Sequence, residues 1–106
     1  MSKRIFIVYG HHNTQKSFNQ SIRDTFISEC KKIGHEIDLI NLHDEKSIPF
    51  YDGSPPDEQI LNYRRRLDKC DIMFMISPCY NLRASAILEN WIDWTLAPKY
   101  FFSFKR

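Results

Sequence analysis

Residues 5–9, Ile-Phe-Ile-Val-Tyr, are an unbroken run of β-forming apolar residues. A half-buried strand alternates apolar and polar residues, whereas a run without alternation suits a strand covered on both faces, as in a parallel sheet. Ser17 to Ile33 follows as a predicted helix. Phe18, Ile22, Phe26, Cys30 and Ile33 recur there at three- and four-residue spacing and form one stripe. Ser17 fits the N-cap of a capping box with Gln20 at its third helical position, and Gly34 supplies a left-handed stop. Glu36 to Leu42 alternates in the manner of an edge strand. Ser54-Pro55-Pro56-Asp57 opens a second helix with proline in its first turn, and Ile60, Tyr63 and Leu67 mark its buried face. Asp71 to Ser77, with Ile-Met-Phe-Met-Ile at its heart, is a third strand. Ala84, Ile87, Leu88, Trp91, Ile92 and Thr95 trace a third helix that Pro98 ends.

The order β-α-β-α-β-α predicts an α/β fold of parallel βαβ units, with an open sheet of strand order 2-1-3. A chain of 106 residues fits one domain. Its net charge of +2 argues against a dedicated nucleic-acid or polybasic membrane binder. Arg64-Arg65-Arg66 reads as a solvated helix face rather than a phosphate site. No apolar run approaches the ~20 residues that would insert into a membrane. The short stretch after Met1-Ser2-Lys3-Arg4 lacks the form of a signal peptide, so the expected compartment is the cytoplasm. Three cysteines without zinc-ligand spacing agree with that: Cys30 and Cys70 fall on apolar periodicities as small buried residues, and no metal site is expected.

In an open parallel sheet, ligands bind at the carboxyl ends of the strands, beside the point where strand order reverses. Two loops leave those ends. Gly10-His11-His12-Asn13-Thr14-Gln15-Lys16 feeds a helix N-terminus, where unpaired N–H groups and the helix dipole favour an anion such as a cofactor phosphate. It is neither a Walker loop nor a dinucleotide G-x-G-x-x-G. Equally, Ser17 would serve as a simple cap and the histidines as surface residues. The second loop, Ser77-Pro78-Cys79-Tyr80-Asn81-Leu82-Arg83, could lie against a flat aromatic ring and hydrogen-bond its edge, or form an ordinary βα connection. His35 and His43 read as solvent-facing.

Together the two loops resemble the flavodoxin-like NAD(P)H dehydrogenase (quinone) family, which includes quinone reductases, modulators of drug activity and ancillary flavoproteins of potassium efflux systems. Four stretches carry the likeness: Ile5-Phe6-Ile7-Val8-Tyr9-Gly10-His11; Ser17-Phe18-Asn19; Gly34-His35-Glu36-Ile37-Asp38-Leu39-Ile40-Asn41-Leu42; and Pro78 through Ala86-Ile87-Leu88-Glu89-Asn90-Trp91-Ile92-Asp93. The resemblance implies that His11 or His12, with Ser17, Phe18 and Asn19, holds the phosphate and ribityl region of a flavin, FAD or FMN. Pro78, Cys79, Tyr80, Asn81 and Leu82 would then cradle its ring. The implied activity is hydride transfer from NAD(P)H through flavin to a quinone-type acceptor, the cofactor supplying the redox chemistry. The alternative within the same resemblance is a non-catalytic regulatory or partner-binding module, such as an ancillary subunit of a potassium efflux system.

Departures accompany the likeness. The family usually has Pro where Ser85 stands and Arg where Trp94 stands, and a Gln used near the flavin falls on about Arg64. Family members also carry a fourth strand, a glycine-rich turn and a fifth strand that this chain lacks. Residues 1–106 are therefore expected to be the N-terminal part of a flavodoxin-like domain. The outer edge of the third strand and the aromatic tail Tyr100-Phe101-Phe102-Ser103-Phe104 point to a homodimer or a complementing chain.

Overall fold

The computed structural model describes residues 2–11 and 17–96. Strand β1 (Arg4–Tyr9) lies at the centre of a three-stranded parallel sheet, between β2 (Glu36–Asn41) and β3 (Ile72–Ile76), in the order β2-β1-β3. Its register sets Ile5 beside Ile37 and Ile72, and Tyr9 beside Asn41 and Ile76. The expected topology is the one observed. The crossovers from β1 to β2 and from β2 to β3 run in opposite directions across the sheet. Crossovers of one hand must then place their helices on opposite faces. Helix α1 (Phe18–Lys32) covers one face, against β2 and β3. Helices α2 (Glu58–Lys69) and α3 (Ala86–Thr95) pack together on the other, α2 against β1.

This division explains why residues 5–9 lack polar alternation. Phe6 and Val8 enter a core with Ile40, Leu42, Ile60, Tyr63, Leu67, Leu88, Trp91 and Trp94. Ile5, Ile7 and Tyr9 enter a smaller core under α1, with Cys30 and Ile76. Cys30 and Cys70 are buried and Cys79 is exposed, and none of the three is in a disulfide.

The helix starts are set by their caps. Ser17 Oγ accepts from Gln20 N at 3.2 Å. The reciprocal half of the capping box is missing, since the buried Gln20 Oε1 has no partner. Asp57 caps α2 through Ile60 N at 3.1 Å, so Pro55 and Pro56 precede the helix rather than occupy its first turn. The α1 stripe is less buried than its spacing suggests: of its residues only Cys30 is buried, and Phe18 is 79% exposed. Phe18 and Ile22 sit on the turns nearest the carboxyl ends of the strands, where no described element covers them.

Of the arginine triplet only Arg65 lies on a solvated face; Arg64 and Arg66 are half-buried. Arg64 donates to the Trp94 carbonyl at 2.7 Å and Arg65 pairs with Glu58. Arg66 grips Asp38 through two nitrogens and lies over the Phe6 ring, 5.4 Å from its centroid. The hydrogen bond and charge of Asp38 outweigh partial burial and hold the Arg66 guanidinium above its ordinary pKa. His35 is half-buried, its Nδ1 accepting from Lys3 N at 3.0 Å. Pro98 and the aromatic tail lie outside the described residues. Among the described residues no helix is long and apolar enough to cross a membrane, and no group of metal-ligating side chains is assembled.

Candidate functional site

The carboxyl ends of β1 and β3 are tied before either loop begins. Gly10 N donates to the Ile76 carbonyl at 2.8 Å, extending the ladder past Tyr9. Ser85, buried at the N-cap of α3, donates from Oγ to the Gly10 carbonyl at 2.5 Å. Its own N–H reaches Ser77 Oγ at 2.8 Å, and Ser77 Oγ donates to the Pro78 carbonyl at 2.8 Å. Space is tight there: a β-carbon on Gly10 would stand 2.6 Å from Leu88 Cβ. Both loops therefore leave a common, rigid base.

On the β1 side, Tyr9 organises the first loop. Its ring stacks with His11, centroids 6.0 Å apart and planes 14° from parallel, and its hydroxyl lies 3.3 Å from Ser17 Oγ. The Arg23 guanidinium sits over the Tyr9 ring at 4.6 Å and donates to Asn41 Oδ1 at 2.8 Å. His11 is buried, Asn19 and Ser17 are half-buried, and Phe18 is open at the rim. His12 lies outside the described residues. The N–H groups of Phe18 and Asn19 belong to the first turn of α1, which has no intrahelical acceptor for them. Arg23 also pairs with the exposed Asp24 carboxylate at 2.9 Å; the first turn of α1 itself holds no acidic residue, so its chemistry suits an anion.

On the β3 side the chain makes a two-residue hairpin. Tyr80 and Arg83 exchange both backbone hydrogen bonds, at 2.9 and 3.1 Å, around Asn81 and Leu82. Both central residues have positive φ, 51° and 62°, as a type I′ turn requires. Asn tolerates that conformation; Leu does so only at a cost of about 1–2 kcal/mol. Leu82 is also 97% exposed. An apolar side chain is thus held out by strained backbone, a pattern that concentrates at ligand sites. Cys79, Tyr80 and Asn81 are exposed around it, and Pro78 is half-buried.

The structure places the residues singled out from the sequence, His12 aside, at the carboxyl ends of β1 and β3 and at the start of α1. Gly10, Ser77 and Ser85 join the two strand ends, with Tyr9 and Arg23 behind them; Gly10 and Ser77 lay within the loops singled out from the sequence, whereas Tyr9, Arg23 and Ser85 were not marked as site residues. Tyr9 had a signal, as the last residue of the apolar run; Arg23 had none, since its role depends on how α1 crosses the sheet. Arg64 and Trp94, two departures from the family pattern, meet on the α2–α3 side, where the Trp94 indole also donates to the Pro49 carbonyl at 2.8 Å. A cavity of about 380 Å³ lined by Leu42, Lys46, Ile48, Phe50, Ile87 and Asn90 contains none of the predicted site residues.

A protein family described by its flavodoxin-like fold matches residues 3–106. The chain is 25% identical to a ribosyldihydronicotinamide dehydrogenase [quinone] of Mus musculus, over 94% of this chain and 54% of that protein. It is 26% identical to FMN-dependent NADH:quinone oxidoreductase 1 of Mesoplasma florum, over 99% of this chain and 57% of that one. A solved NAD(P)H:quinone oxidoreductase from Methanothermobacter marburgensis superposes with a TM-score of 0.76 at 20% identity, over 91% of this chain and 54% of the other, which shows a shared fold. The chain spans about half the length of the relatives it matches.

Proposed function

Because the chain belongs to the family of flavodoxin-like folds, we propose that it holds a flavin at the carboxyl ends of β1 and β3 and serves NAD(P)H-dependent reduction of a quinone-type acceptor. The observation that carries this reading is the pairing of two rims on one base. An anion-favouring helix start with Ser17 stands on one side. A strained turn that presents Leu82, Asn81 and Tyr80 to solvent stands on the other. A flavin joins a phosphate to a flat, mostly apolar ring, so both ends of the crevice fit it. Two relatives are named for quinone reduction, one of them as FMN-dependent.

In this assignment the Ser17 hydroxyl and the N–H groups of Phe18 and Asn19 bind the phosphate, with His11 or His12 beside them. The backbone of Pro78 to Leu82 lines the ring edge, and the Leu82 side chain excludes water from it. A bound flavin would supply the two-electron chemistry between NAD(P)H and quinone; the protein supplies position and a dry contact. FMN and FAD both meet these contacts. Residues 1–106 make up the first three βα units of such a domain. Three cysteines, none in a disulfide, support a reducing compartment, the cytoplasm.

Titration with FMN and with FAD, following flavin fluorescence, tests the reading. Saturable binding is expected, together with NAD(P)H oxidation when a quinone is added. No saturation up to about 1 mM, a binding energy of only ~4 kcal/mol, would overturn it. Binding without NAD(P)H oxidation would replace the enzyme by a flavin-binding regulatory module.

A further inference from the structure

Tyr9 ends β1 and follows Ile5 and Ile7 into the core under α1. It is 5% exposed. A phenylalanine would fill such a place, whereas a buried phenol hydroxyl needs a partner. Among the described residues that partner is Ser17 Oγ, 3.3 Å away at the start of α1. Resting on the flavin assignment, we propose that Tyr9 is a positioning residue for the phosphate. Its hydroxyl donates to Ser17 Oγ and so leaves the Ser17 proton to be given to a phosphate monoester.

The capacity of a serine hydroxyl supports this direction. It has two acceptor lone pairs and one proton. Gln20 N already donates to Ser17 Oγ at 3.2 Å. If Ser17 gave its proton to Tyr9, an arriving phosphate oxygen would meet the remaining lone pair and be repelled. If Tyr9 donates, both lone pairs are filled and the proton is all that Ser17 has left to offer. A phenol is also the stronger donor and the weaker acceptor of the two hydroxyls. An anion therefore selects this orientation, in which Ser17 joins the N–H groups of Phe18 and Asn19 as a third donor.

The Tyr9 ring is held for this task. It stacks with His11, and the Arg23 guanidinium over it is itself fixed by Asn41 at 2.8 Å and Asp24 at 2.9 Å. A hydroxyl on the ring axis keeps its place through ring flips, so only a displacement of the whole ring releases Ser17. The cap does not depend on Tyr9, because Gln20 N reaches Ser17 directly.

Tyr9→Phe keeps the ring and removes the hydroxyl. FMN and riboflavin differ by the phosphate alone, so the ratio of their dissociation constants, each from a fluorescence titration, isolates it. Tyr9→Phe should weaken FMN about 3–10-fold and leave riboflavin within about twofold. In a Ser17→Ala background the same substitution should change the ratio no further, because the proton it orients is gone. Equal weakening of both flavins would make Tyr9 a packing residue only, and independent effects of the two substitutions would separate Tyr9 from Ser17. Either result overturns the proposal.

Inorganic phosphate is a probe that needs no flavin. Against sodium chloride of equal ionic strength, it should raise the melting temperature of the unaltered chain and raise that of Tyr9→Phe less. The same response in both chains overturns the proposal. The expected difference without flavin binding would keep Tyr9 and Ser17 as an anion-binding pair and discard the flavin assignment. If Tyr9→Phe does not fold, the magnetic resonance of Tyr9 Cζ in the unaltered chain, which follows the hydrogen bonding of its hydroxyl, gives the answer. It should move as phosphate saturates; an unmoved resonance overturns the proposal.

Discussion

Ser85 Oγ donates to the Gly10 carbonyl at 2.5 Å, across 75 positions of sequence. The same hydroxyl accepts from Leu88 N at 3.4 Å and caps α3. One buried group thus starts a helix and fixes the loop after β1. Ser85→Ala removes both contacts and leaves a buried acceptor, so it should cost about 2 kcal/mol. Urea denaturation with an unchanged m-value checks this; a loss near zero would mean that water replaces the hydroxyl.

Gly10→Ala should destabilise by about 1–3 kcal/mol, because the added carbon collides with Leu88 Cβ. The cause is steric, so the cost should shrink in a Leu88→Gly background, which removes that β-carbon. A double-mutant cycle measures that coupling. Additive costs would place the penalty in the backbone instead.

Ser17→Ala should lower stability by about 1 kcal/mol through the lost cap. It should also weaken flavin binding, since the hydroxyl stands at the anion end of the crevice. Thermal melts with and without FMN separate the two effects. A stability loss with unaltered flavin affinity would leave Ser17 as a cap alone.

Leu82→Gly creates Asn-Gly, the dipeptide a type I′ turn prefers. With Leu82 at φ 62° and almost fully exposed, the change should stabilise the flavin-free protein by about 0.5–1 kcal/mol. Flavin affinity should fall because the apolar contact is gone. A variant that is both more stable and an equal binder would detach the strained turn from ligand binding.

Tyr63 gives a pH dependence. Burial first, and then the hydrogen bond to Glu45, push its phenol up to about 12 from an ordinary 10.0. The folded state therefore holds the proton more tightly than the unfolded chain does. This contribution is complete below pH 10 and is lost as pH rises towards 12. Stability measured from pH 9 upward should decline through that window, and Tyr63→Phe should remove this part of the decline.

Topology was legible in the sequence because periodicity reports burial. The unbroken run at Ile5–Tyr9 could only be a strand with two covered faces, and Ile60, Tyr63 and Leu67 pointed at the core where they are found. Periodicity overstated burial at Phe18 and Ile22, since spacing says which residues share a face but not how far the neighbouring layer extends. The cap at Ser17 was readable from local residue types. Arg66 was not: a charge run looks solvated until a carboxylate from β2 is placed beside it. The proposed site residues His11, Ser17 and Asn81 were visible through motif. Their supports, Tyr9, Arg23 and Ser85, emerge only when distant segments meet. Ser85 shows the point well. Its φ of −61° would admit the proline usual in the family, yet its N–H is committed to Ser77, a bond proline cannot make.

The central position of β1 also sets a timetable. As the chain leaves the ribosome, Arg4–Tyr9 emerges before both of its neighbours and gains β2 once Asn41 is out. Its other side must wait for Ile72–Ile76. At about 5–20 residues per second, the intervening stretch of roughly 30 residues takes about 1.5–6 s. Through that interval this apolar strand has one open flank, with α1 for cover and α2 only as it emerges. Nascent chains halted within this window should be the ones that chaperones capture most.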